Sequence, residues 1–237
     1  MDKRWLLAVI LLGILAGAGY YLYRNVYFPR TRTFWRSARL GEWLGHPDAH
    51  PDWMIHAGTR CGDAPFVMPT DGYIGFLWGD SFQIGKLHQG LDIFGGTGIG
   101  KTPVVAAYPG YLTRLPTWKS AVILRIPEDP LQPGRQIWLY YTHMADPNGD
   151  SFISSAFPPG TSEKYVEAGT LLGYQGDYTG DPDSPTGVHL HFSVDMDDGR
   201  GGFRNELDIR NTLDPSPYLG LPVNAATNGN VTPVCNP

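Results

Sequence analysis

The stretch GVHLHFSVDM at residues 187–196 decides how the rest of the chain is read. As a β-strand it puts His189 and His191 on one face, about 6–7 Å apart along the chain. Leu190 and Phe192 then point the other way, into a core. Similar short runs precede it: GYIGFLWG (72–79), KLHQGLDIF (86–94), PVVAAYPGYLTRL (103–115), AVILRI (121–126), IWLYYTHM (137–144) and TLLGYQG (170–176). They are rich in Val, Ile, Tyr and Phe and bounded by Gly, Pro or Asp, which is the signature of strands. Short strands in succession, with no helical pattern between them, predict a mainly β fold: an antiparallel β-sandwich or part-open barrel.

Composition agrees. The 237 residues include 30 Gly and 21 Pro, more than a fifth of the chain, which leaves little room for a helical bundle. With 17% charged and 13% aromatic residues, wholesale disorder is excluded. A net charge of −5 argues against nucleic acid as a partner. The charge is uneven. The first 36 residues hold six cations and one acid, so a basic, greasy N-terminus precedes an acidic body.

After a short tail (1–4), residues 5–23 read WLLAVILLGILAGAGYYLY, nineteen positions without a charge. As a helix this is about 28 Å long, the thickness of a bilayer's hydrocarbon core. The expectation is a single-pass transmembrane anchor with the body extracytoplasmic. Lys3 and Arg4 before the apolar run and Ala16-Gly17-Ala18 within it also fit a signal segment, giving a secreted chain after cleavage. Arg24, Arg30, Arg32, Arg36 and Arg39 follow the segment, and the positive-inside rule taken alone points the body the other way. Residues 24–60 read as a juxtamembrane stalk or linker, with a short amphipathic helix carrying Leu40, Trp43 and Leu44 on one side, whose arginines and tryptophans suit a membrane surface and a solvated linker equally. Residues 221–237 read as an irregular tail. Cys61 and Cys235 bracket the body and are either bridged or two unpaired thiols.

Four of the seven histidines fall in strand-like runs. His88 and Asp92 form an H-x-x-x-D pair whose α-carbons would lie roughly 13 Å apart in an unbroken strand, but Gly90 permits a bend that draws them together. By chance H-x-x-x-D is expected about 0.5 times and H-x-H about 0.2 times, so the weight rests on the ordered set with Tyr141-Thr142-His143 between the pairs. Gly95 to Thr102, GGTGIGKT, matches a phosphate-binding loop outright. That mechanism needs a helix starting at Lys101-Thr102. Pro103-Val104-Val105 follows instead, so a glycine-rich connection between strands is expected.

H-x-x-x-D, then Y-x-H, then H-x-H in this order resembles the lysostaphin/LytM-type zinc metalloendopeptidase family, the peptidoglycan endopeptidases. Asp92-Ile93-Phe94 leading to Thr102-Pro103-Val104-Val105-Ala106-Ala107 is similar to that family, as are Pro109-Gly110-Tyr111-Leu112, Gly187 to Phe192, and Asp214-Pro215 with Pro217-Tyr218-Leu219. The resemblance covers about residues 64–220 and implies a LytM-type zinc peptidase domain over 61–220. It implies one Zn²⁺ per chain held by His88, Asp92 and His191, with His143 and His189 as the catalytic pair, either of them the general base; no other cofactor-binding residue is expected. Two neutral imidazoles and one carboxylate leave such a site formally +1, with a position open for water. The implied reaction is hydrolysis of peptide bonds in peptidoglycan stem peptides or cross-bridges by zinc-activated water. The alternative is a catalytically silent, membrane-anchored LytM-like scaffold that activates another cell-wall hydrolase. The implied partners are peptidoglycan peptides, the membrane through the N-terminal helix, and unidentified cell-wall or division proteins. Two departures from the family pattern, the long loop after His143 and the acidic stretch Asp177 to Ser184, are candidates to border the substrate groove. Tyr141, two residues before His143 and so on the same strand face, could add a hydrogen bond to the site but is expected to be a half-buried structural residue.

Overall fold

The computed structural model describes residues 3–82 and 85–235; of the two expected tails, residues 1–2 and 236–237 lie outside the described residues. Helix α1 (Lys3–Leu22) is long and apolar enough to cross a membrane by length and composition, and its apolar window is not buried in the fold. One π-helical stretch, Tyr23–Tyr27, joins it to helix α2 (Phe28–Gly45).

Helix α2 differs from a free stalk because one of its faces is used by the body. Arg32, Arg36, Arg39, Leu40 and Trp43 recur at helical spacing and so share that face. Arg32 Nη1 donates to the Ala225 carbonyl at 2.9 Å, and Arg39 Nη1 donates to Thr232 Oγ1 at 3.2 Å. Arg36 is buried in an ion pair with Asp80. Leu40 and Trp43 are buried, Trp43 stacking on Tyr73 with ring centroids 5.7 Å apart. Leu44, expected beside them, is turned to the exterior. The pattern that suits a membrane surface is therefore largely spent on docking, while Arg24 and Arg30 stay exposed.

The body is mainly antiparallel β. Its strands are β1 (Tyr73–Phe76), β2 (Leu91–Phe94), β3 (Pro103–Val105), β4 (Gly110–Thr113), β5 (Val122–Ile126), β6 (Ile137–Thr142), β7 (Lys164–Val166), β8 (Leu171–Tyr174), β9 (Leu190–Met196) and β10 (Thr212–Leu213). The large sheet runs β1-β2-β9-β6-β5-β4-β7, with β10 also paired to β9, and β3-β8 form a second small sheet. All these pairs are antiparallel. The core lies between the two sheets: Leu190, Phe192 and Val194 of β9 pack with Leu139, Tyr141, Leu124, Val104 and Leu172, all fully buried. Each such side chain contributes about 1.5–3 kcal/mol through burial.

The run 103–115 divides into β3 and β4, and the run 86–94 becomes strand only at Leu91. Strands β7 and β10, of three and two residues, are too short to leave a periodic signal. The glycine-rich 95–102 loop passes directly into β3 and starts no helix. A Cβ at Gly95 would lie 2.1 Å from Thr102 Oγ1, so the loop closes tightly on itself. Cys61 and Cys235 form a disulfide. It fastens a C-terminal segment that is irregular but packed: Leu221, Val223 and Ala225 are buried, and Asn224 bridges to Trp78. Helix α3 (Ser216–Leu219) precedes that segment.

Candidate metal centre and its flanking histidines

Register brings the site together. On the central strand β9, His191 pairs with Asp92 of β2 on one side and Thr142 of β6 on the other. Alternation sends Leu190 and Phe192 to the core and leaves His191 on the outer face. His88 lies before β2 rather than within it, which removes the separation an unbroken strand would impose. Gly90 makes this possible by close approach: a Cβ there would stand 2.3 Å from the Phe192 carbonyl oxygen and 2.9 Å from His191 Nε2.

Three donor atoms converge. His88 Nε2 is 3.0 Å from Asp92 Oδ1 and 3.1 Å from His191 Nδ1, and His191 Nδ1 is 2.9 Å from Asp92 Oδ1. Tetrahedral zinc ligands at about 2.0–2.1 Å from the ion stand roughly 3.3–3.4 Å apart. The triangle need open by only a few tenths of an ångström, so this donor set fits a divalent cation. Nitrogen chemistry supports the fit. His88 Nδ1 lies 3.0 Å from the Leu77 carbonyl, which can only accept, so Nδ1 carries the proton and Nε2 presents its lone pair to the triangle. Burial would raise the Asp92 carboxyl, but His88, His189 and His191 around it more than reverse this and hold it well below the usual range. Burial pushes His88 down, while the Asp92 charge and hydrogen bond and the Leu77 carbonyl more than offset that.

His143 and His189 flank the triangle. His189 Nδ1–H donates to the Gly187 carbonyl at 2.8 Å, leaving Nε2 3.5 Å from Asp92 Oδ1. His143 Nδ1–H donates to the Tyr178 carbonyl at 2.7 Å, and its ring centroid is 4.6 Å from that of His189. Burial, with His189 adding to it, pushes His143 down to about 3 and keeps it neutral at neutral pH. A continued strand would have put His143 on the core face with Tyr141. Instead β6 ends at Thr142 and His143 takes φ 71°, a left-handed turn that swings its ring to the site. Tyr141 is fully buried, its phenol oxygen accepting from Ala107 N–H at 2.9 Å. It belongs to the core rather than to a half-buried position.

His88, Asp92, His143, His189 and His191 line a cleft of ≈ 470 Å³. Tyr178 and Thr179 of the acidic stretch border it, whereas the 145–164 loop packs on β8 through the Ile153–Gly173 bridge. The lining residues outside the expected set include Tyr140, Thr142 and Glu206. Tyr140, which burial raises to about 12, and Thr142 flank the core residue Tyr141 on β6, so strand alternation carries their signal. Glu206, whose Oε2 is 3.8 Å from His191 Nε2, sits on an irregular loop and leaves no pattern.

No protein-family model matches the chain, and no curated protein matches it. Among solved structures, it is similar to Helicobacter pylori Csd3 at 18% identity, covering 65% of this chain and 34% of that one, with TM-score 0.40. It is also similar to a candidate M23 peptidase from Pseudomonas aeruginosa at 19% identity, covering 78% and 60%, with TM-score 0.38. A third likeness is to a point mutant of the catalytic domain of the prophage-encoded M23 protein EnpA from Enterococcus faecalis, at 22% identity, covering 62% and 94%, with TM-score 0.34. The chain spans about a third of the Csd3 structure and three fifths of the Pseudomonas one. At this distance, the strand pairing and side-chain geometry of the chain itself define a mainly antiparallel β body with a His88–Asp92–His191 cluster suited to a metal ion.

Proposed function

We propose that the chain is a zinc metalloendopeptidase of the lysostaphin/LytM type that hydrolyses peptide bonds in peptidoglycan, held to the membrane by α1 with its body outside the cytoplasm. The observation that carries this reading is the convergence of His88 Nε2, Asp92 Oδ1 and His191 Nδ1 beside two further histidines whose outer nitrogens are already committed. His88, Asp92 and His191 are the ligands in this reading. When bound, zinc supplies a Lewis acid and a water that is acidic near neutral pH.

The chain's own residues supply the proton handling. His143 and His189 each donate Nδ1–H to a backbone carbonyl, so each Nε2 is an acceptor held in one orientation. One takes a proton from the attacking water at Nε2 and returns it to the leaving amine, so the proton balance closes on a single histidine, and the other lines the same cleft beside it. The cleft is open and polar, which suits an extended peptide entering across β6 and β9. The disulfide agrees with an oxidising compartment.

The test uses the full chain in detergent, loaded with one zinc per chain, on purified peptidoglycan. Released fragments are identified by mass spectrometry beside His191→Ala and chelator-treated controls. New peptide termini absent from both controls are the expected result. Intact peptidoglycan at full zinc occupancy overturns the enzymatic reading in favour of a scaffold.

A further inference from the structure

We propose that the juxtamembrane helix α2 holds the metal site in shape, with Arg36 as a positioning residue for the ligand His88. This rests on the metal-centre reading above. The path is short and fully bonded. Asp80 is completely buried and accepts from Arg36 Nε at 2.8 Å, from Arg36 Nη2, from Thr33 Oγ1 at 3.0 Å and from the Leu77 N–H at 2.8 Å. The turn it closes, Leu77 to Asp80, is hydrogen-bonded to His88. His88 N–H donates to the Asp80 carbonyl at 2.7 Å, Gly79 N–H donates to the His88 carbonyl at 2.8 Å, and Asp80 N–H donates to the Leu77 carbonyl at 3.1 Å. The same Leu77 carbonyl accepts from His88 Nδ1 at 3.0 Å and so sets the tautomer that points Nε2 at the other two ligands.

Arg36 is the cation that neutralises the Asp80 carboxylate among the described residues. A buried carboxylate that loses its partner has to gain water or rotate outward. Either change releases the Leu77 N–H and with it the carbonyl that orients His88. A group that orients a ligand through its outer nitrogen is worth about 10–100-fold in metal affinity. Because only the Tyr23–Tyr27 stretch separates α2 from α1, the metal site is complete only while the segment next to the apolar helix is seated on the body.

Zinc affinity of the full chain in detergent, measured by competition with a chromophoric chelator, tests this without any activity assay. Arg36→Gln is expected to weaken binding about 10–100-fold. The double variant Arg36→Gln with Asp80→Asn keeps an acceptor for Leu77 N–H and has no buried charge to compensate, so it is expected to recover affinity to within about threefold of the parent. Leu124→Ala, a core truncation on β5 away from the path, lowers stability and is expected to leave affinity unchanged. Arg36→Gln binding like the parent, or the double variant binding as weakly as the single one, overturns the proposal. If Arg36→Gln does not fold, the double variant decides: parental affinity supports the path and weakened affinity refutes it. A parent chain that binds no zinc overturns the metal-centre reading itself.

Discussion

Asp195 lies on β9, four residues beyond His191, and is fully inaccessible to solvent. Its Oδ1 accepts from Ser193 Oγ at 2.7 Å, while Oδ2 has no partner among the described residues. Burial raises its pKa to about 8; the Ser193 hydrogen bond opposes this and Glu206 adds to it. The carboxyl therefore keeps its proton in the folded chain at neutral pH, whereas the unfolded chain releases it near the ordinary 3.8. Below about pH 4 both states hold the proton and Asp195 contributes no pH dependence. Between about pH 4 and 8 the folded state binds more protons, so stability falls as pH rises, by about 1.4 kcal/mol per unit. Above about 8 both states are ionised and the slope ends, after a total of about 5–6 kcal/mol. Asp195→Asn keeps the acceptor for Ser193 and removes the titration. The gap between variant and parent is expected to shift by about 3 kcal/mol in favour of the variant from pH 5 to 7.5. Urea unfolding followed by tryptophan fluorescence, with excess chelator so that metal does not shift the equilibrium, reads this directly. Parallel pH profiles for the two chains would refute the assignment of a buried, protonated Asp195.

The site allows sharper separations. His143→Ala is expected to retain zinc and lose about 10²–10⁴-fold in kcat on peptidoglycan, whereas His191→Ala is expected to lose zinc itself; metal analysis beside the cleavage assay tells them apart. Gly90→Ala forces a Cβ to within 2.3 Å of the Phe192 carbonyl and 2.9 Å of His191 Nε2, so it is expected to weaken metal binding and lower the melting temperature together. Cys61→Ser with Cys235→Ser opens a bridge spanning 174 residues and is expected to cost about 2–5 kcal/mol in chemical denaturation. A variant as stable as the parent counts against a constraining role for the bridge.

What could be read from sequence follows a physical divide. Strand-forming runs and the alternation of His189, Leu190, His191 and Phe192 are local properties, so the β body and the outward face of β9 were legible. The turn at His143 was not, because a left-handed residue at the end of β6 is imposed by its surroundings, here the Tyr178 carbonyl and the site packed against it. Gly90 was legible as a point of freedom, but its reason is the nearness of β9, which only tertiary structure supplies. The docking of α2 was hidden for a related cause. Arginines and tryptophans on one helix face suit a lipid surface and a protein surface equally, and only Asp80, 44 residues away, tells which applies to Arg36. Glu206 carried no signal because irregular loops have no period.

The central position of β9 also governs when the site comes into being. As the chain is made and leaves the ribosome, His88 precedes His191 by 103 residues. The strand bearing His191 must enter between β2 and β6 before any three-donor cradle exists. Cys235, which closes the bridge to Cys61, emerges later still. A nascent chain with only its first half exposed therefore lacks one of the three donors. The order of synthesis itself delays the centre until the body is nearly whole.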